Sequence, residues 1–142
     1  MSRFWPRIAS IVVATTLLGC SGTTEPLGNH VDFARALWLA RRPRSYSFEV
    51  AVASSWTSTA GYLRVEVSDG RVVAVRDPAG ATLEDFSLSV DGIWDQLLAY
   101  RARGELNSAR FDARGVPLET DMGPWPVDGG MHYSVRNFAA SR

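Results

Sequence analysis

The chain has 142 residues, with 15 basic side chains, all arginine, balanced by 15 acidic ones, and a single cysteine, Cys20. That length supports one modest core. The charge balance offers no basic face for nucleic acid, and one thiol excludes an internal disulfide.

The first predicted element is a leader. "MSRFWPR" carries Arg3 and Arg7 and no acid, and an apolar run follows from Ile8 to Leu18. A basic start, a short apolar stretch and small residues describe a secretory signal peptide. The run is shorter than the roughly 20 residues that cross a bilayer as a helix. Residues 1–19 are therefore expected to be removed.

The stretch Leu17-Leu18-Gly19-Cys20 resembles a bacterial lipobox. The resemblance implies cleavage before Cys20, diacylation of its thiol and stable anchoring by several acyl chains. Ser21 follows where an aspartate commonly holds lipoproteins at the inner membrane, so the outer membrane of a two-membrane envelope is favoured. Residues 20–29 read as a short polar tether, and 30–142 as a single domain. Loss of Arg3 and Arg7 leaves 13 basic against 15 acidic residues, a formal net of −2.

"NHVDFARALWLARRP" reads as a helix, with Asn29 as its cap and Phe33, Leu37 and Ala40 at helical spacing. Pro43 ends it. In "SYSFEVAVA", Tyr46, Phe48, Val50 and Val52 alternate onto one face of a strand. "SSWTSTAG" is a polar loop that carries Trp56. "YLRVEVSDGRVVAVRDPAG" reads as a hairpin turning at Asp69-Gly70. A two-residue loop would pair Val65 with Ala74. A three-residue loop with a bulge at Gly70 would pair Val65 with Val73 and Leu63 with Val75. The second groups the apolar residues and is the expected register.

A second helix is expected in "SVDGIWDQLLAYRARG", capped by Ser89, with Val90, Ile93, Trp94 and Leu97 as its apolar stripe and Gly104 at its end. Strands follow in "LNSARFD", "VPLETDM" and "MHYSVRNF", the last with Met131, Tyr133 and Val135 on one face. The order is helix, three strands, helix, three strands. It predicts an α+β fold in two layers, an antiparallel sheet covered on one face by two helices. Pattern leaves open whether the halves share one sheet.

Taken in order, Tyr46 and Phe48, then Asp69 and Gly70, then Phe111, Asp112, Gly115 and Pro117 resemble the small bacterial lipoproteins of domain of unknown function 6174. The resemblance spans roughly residues 30–138. Many members carry a Cys-x-Cys pair where this chain reads "ASSWTS", and an acidic cluster where it has only Asp128. The resemblance implies a fold and an envelope location but no activity.

No motif announces chemistry. His30, His132, Asp121 and Asp128 lack metal-ligand spacing, so no metal and no cofactor are expected. No nucleophile elbow is present. Asp91 and Asp95 are read as a solvated helix face, and no catalytic residue is assigned. Five tryptophans remain. Trp38 and Trp94 are expected in the core, whereas Trp56 and Trp125 fall in loops, where they either fold back over an end of the sheet, the slightly favoured expectation, or form an interaction surface. The sequence thus points to a lipid-anchored envelope protein that binds another envelope protein or a small apolar ligand. The alternatives are a hydrolase using Asp112, Asp121 and Asp128, and a structural spacer.

Overall fold

A computed structural model describes residues 27–56, 58–124 and 129–141. The leader, Cys20, Ser21, Trp125 and Asp128 lie outside the described residues. The elements run α1 (Leu27–Arg41), β1 (Tyr46–Ser54), β2 (Leu63–Ser68), β3 (Arg71–Arg76), α2 (Val90–Ala102), β4 (Leu106–Phe111), β5 (Pro117–Met122) and β6 (Met131–Ala140). All six strands form one open antiparallel sheet in the order β3-β2-β1-β6-β5-β4. Each half repeats a helix followed by a strand meander, and the β1–β6 ladder joins the halves.

Alternate residues of the strands meet both helices in one core. Tyr46, Phe48, Val50, Leu63, Val65, Val67, Tyr133 and Val135 are buried together with Val31, Ala34 and Trp38 of α1 and Val90, Ile93, Trp94 and Leu97 of α2. Each of the large side chains contributes about 1.5–3 kcal/mol on burial. The aromatic rings set the geometry. Trp38 stands edge-on to Tyr46 and Phe138, both at 5.8 Å, and Trp94 stacks on Phe111 at 5.0 Å.

α2 forms as its sequence dictates. The Ser89 hydroxyl accepts from the Gly92 N–H at 3.1 Å, satisfying one of the otherwise unpaired amides of the first turn. The Tyr46 hydroxyl accepts a further helix-start amide, that of Val90, at 3.3 Å. Burial around that phenol pushes its pKa up to about 12.

α1 departs from expectation in two ways. It already includes Leu27, so Asn29 lies inside the helix rather than capping it. Its second turn is held at the end of α2, where Arg101 grips Asp32 through two bonds of 2.6 and 2.9 Å. The stripe of Phe33, Leu37 and Ala40 is not the core face. Phe33 is 65% exposed, and Val31, Ala34 and Trp38 point inward instead.

The β2–β3 hairpin also differs from the expected register. Asp69 and Gly70 both take positive φ, 49° and 75°, the pattern of a two-residue type I′ turn. Ser68 therefore pairs with Arg71 and Val67 with Val72, and a bulge follows between Glu66 and Val67, so that Val65 meets Val75 rather than Val73. The extra residue is absorbed inside the ladder, not in the turn. Two tertiary bonds fix the tight turn. The Gly70 N–H donates to the Arg44 carbonyl at 2.8 Å, and the Asp69 N–H to the Ser45 hydroxyl at 3.3 Å. A second irregularity, with Asn137 at φ 53°, turns Phe138 towards Tyr46, 5.2 Å away.

Candidate functional site

An apolar opening lies at the end of the sheet where β1 leaves and β2 enters. After β3, Asp77 closes a turn by accepting the Ala81 N–H at 2.8 Å on its side chain and the Gly80 N–H at 3.0 Å on its carbonyl. The chain then doubles back along β3. Thr82 bridges to Arg76, and the Leu83 N–H donates to the Val75 carbonyl at 2.9 Å. This return covers part of the β3 edge and builds a groove of about 460 Å³. Leu63, Pro78, Ala79, Leu83 and Phe86 supply its apolar walls. The polar groups at the groove are already engaged: Asp77 in its turn, and the Thr59 hydroxyl on the Gly61 carbonyl at 2.8 Å. Such a lining suits an apolar ligand, and the volume lies within the roughly 300–1,000 Å³ of small-molecule sites.

Trp56 stands on the loop that also brings Thr59 and Ala60 to this groove, and it is 77% exposed. It does not fold back over the sheet. The Gly129 N–H donates to the Ser55 hydroxyl at 3.0 Å, which ties the Trp56 loop to the end of the loop that contains Trp125. The two loops singled out in the sequence thus meet at one end of the sheet.

Of the acids proposed for hydrolysis, Asp112 and Asp121 lie near opposite ends of β5, and Asp128 is outside the described residues. Asp112 is consumed by the β4–β5 turn, where its side chain accepts from the Arg114 and Val116 amides at 2.8 and 2.9 Å and pairs with the Arg114 guanidinium. Asp121 lies near the other end of β5. Its carboxylate accepts from Ser108 at 2.6 Å and lies 2.7 Å from His132 Nδ1. The Ser108 hydrogen bond, more than His132, holds that carboxyl below the usual carboxylate range. The carboxylate lies between the serine and the histidine, so the histidine is not placed as the base for that serine. Among the described residues no group of three or more His, Cys, Asp or Glu could hold a metal ion. His30 is exposed, with its ring 6.1 Å from Phe111.

The sheet face opposite the core pairs its own charges. Glu49 receives Arg136 at 2.7 Å and Asn137 at 3.1 Å, Arg110 meets Glu119 at 3.0 Å, and Tyr62 bonds Ser134 at 2.8 Å beneath the Arg136 guanidinium. Arg136 lowers the pKa of Glu49.

Asp91, expected on a solvated helix face, instead joins the two helices. It accepts the Trp38 indole N–H at 2.9 Å and Arg42 at 3.1 Å, fastening α1 to the start of α2. Periodicity within α2 cannot show this, because the partners lie on another helix.

A family model described as a family of unknown function, DUF6174, matches residues 30–140. The chain belongs to this family. No curated protein and no solved structure matches it. In this DUF6174 chain the residues that carried the resemblance build architecture. Tyr46 and Phe48 are core, Asp69 and Gly70 are a turn, and Asp112 organises the loop that delivers Gly115 to the helices. At Gly115 a Cβ would collide with the Ala34 carbonyl of α1, and its own carbonyl accepts the Trp94 indole N–H at 3.1 Å. Only glycine fits a positive φ at so close an approach.

Proposed function

We propose that this protein is a lipid-anchored component of a bacterial cell envelope, acylated at Cys20, whose domain binds a small apolar ligand without transforming it. The observation that carries the binding reading is the apolar groove of about 460 Å³, to which the loop of the exposed Trp56 contributes Thr59 and Ala60. The anchoring reading is supported by the basic leader, the apolar run and the Leu-Leu-Gly-Cys stretch before Ser21. Ser21 favours the outer membrane where there are two. The same reading takes the fold as two layers, with both helices over one sheet face. Its support is that Val31, Ala34 and Trp38 share a core with Val90, Ile93 and Leu97 and with the inward residues of the strands.

Trp56 fits this picture as a rim residue, supplying a large apolar surface at low entropic cost. Titration of the folded protein with parinaric acid, a fluorescent fatty acid, tests the groove. Saturable enhancement is expected for the wild type, is lost in Leu83→Glu and is weakened in Trp56→Ala. Equal binding by the wild type and Leu83→Glu, or no binding by the wild type, would overturn the groove as the site.

A further inference from the structure

α1 carries apolar residues on two faces. Val31, Ala34 and Trp38 enter the core. On the other side Phe33, Ala36 and Ala40 are exposed and Leu37 is half-buried. At about 3.6 residues per turn these four share one outward stripe, and no other described element is packed over Phe33, which is 65% exposed. The stripe contains no acid. Asp32, at its border, is held by Arg101 at 2.6 Å, and Arg41 is exposed in the last turn.

We infer that this outward stripe of α1 lies on the lipid surface to which Cys20 is anchored. The inference rests on the reading of Cys20 as acylated. Only seven residue steps separate Cys20 from Leu27, which span about 25 Å at full extension. The tether therefore keeps the start of α1 within about 25 Å of the lipidated residue. An exposed apolar stripe free of acid, with Arg41 exposed in the last turn, suits the boundary between headgroups and acyl chains of an anionic bilayer. The anchor makes the contact effectively intramolecular, so a small apolar area suffices. A stable protein interface uses roughly 20–30 residues a side, far more than this stripe offers.

The experiment uses full-length acylated protein in vesicles of phosphatidylethanolamine and phosphatidylglycerol. Acylation occupies Cys20, so Phe33→Cys, Ala40→Cys and, as a control, Val73→Cys each present one free thiol for a pyrene label. All three positions are exposed, Val73 at 62%. Doxyl-labelled lipid is expected to quench pyrene at 33 and 40 several-fold more strongly than at 73. Equal quenching at all three positions overturns the lipid contact while leaving the anchor intact. Pyrene excimer emission at 33 in place of lipid quenching assigns the stripe to a second copy of the chain and also overturns it. An intact mass without acyl chains overturns the anchor and the docking together.

Discussion

The two helices occupy the same core yet treat their outer faces differently. α2 buries Val90, Ile93, Trp94 and Leu97 and presents Asp95, Ala99 and Ala102 to solvent. α1 buries Val31, Ala34 and Trp38 but exposes Phe33 at 65% and Leu39 at 50%. A helix that is apolar on both sides is ordinarily covered on both. α2 is therefore explained by the domain alone, whereas α1 calls for a second surface. The contrast teaches that burial within a domain accounts for only one of the two apolar stripes that α1 encodes.

The sharpest break of this contrast separates the two faces of α1. Trp38→Ala removes a ring that touches Tyr46 and Phe138 and is expected to cost about 3–5 kcal/mol in urea unfolding. Phe33→Ser on the outer face should change the same unfolding free energy by no more than about 0.5 kcal/mol. A comparable loss at both positions would mean that the outer stripe is packed within the domain. Gly115→Ala comes next. The clash with the α1 backbone and the positive φ together predict a loss of about 3 kcal/mol, read as an earlier thermal midpoint. Asp91→Ala strips the Trp38 indole of its acceptor and frees Arg42, and about 1–2 kcal/mol is expected. An unchanged midpoint would show that the clasp between the helices is incidental.

The smallest effect is one of pH. Asp121, Glu49 and Asp32 have folded-state pKa values below their ordinary ones, through Ser108, Arg136 and Arg101 respectively. Their ionised forms favour the folded state, so that stability is present above the unfolded carboxylate value of about 4 and is lost as pH falls through the lower folded values. Thermal melts should therefore slope downward below about pH 4, and Asp121→Asn should flatten part of that slope. A slope identical in the variant would remove Asp121 from the account.

Much of the α2 half was legible because its signals are local. Ser89 caps through an amide three residues on, and Val90, Ile93, Trp94 and Leu97 form a single apolar stripe against polar neighbours. α1 was legible as a helix but not in its orientation, since Phe33-Leu37-Ala40 and Val31-Ala34-Trp38 are both apolar at helical spacing. Only packing against Tyr46 and Phe138 chooses between them. The hairpin register failed for a related reason. The tight turn at Asp69 is pinned by Arg44 and Ser45, residues outside the hairpin, and the bulge moved into the ladder. Trp56 was legible as a loop residue because small polar neighbours surround it. The groove beside it was not, because it exists only once residues 81–83 fold back along β3. The role of Asp91 was not legible because its partners Trp38 and Arg42 lie about 50 residues away in the chain.

The proposed acylation of Cys20 carries both the envelope reading and the lipid contact of α1, and it is directly measurable. Cells expressing the wild type or Cys20→Ala would be labelled with radioactive palmitate and separated into membrane and soluble fractions. The account predicts labelled wild-type protein in the membrane fraction, and an unlabelled variant released from it. A Cys20→Ala variant that keeps both the label and the membrane association would contradict it.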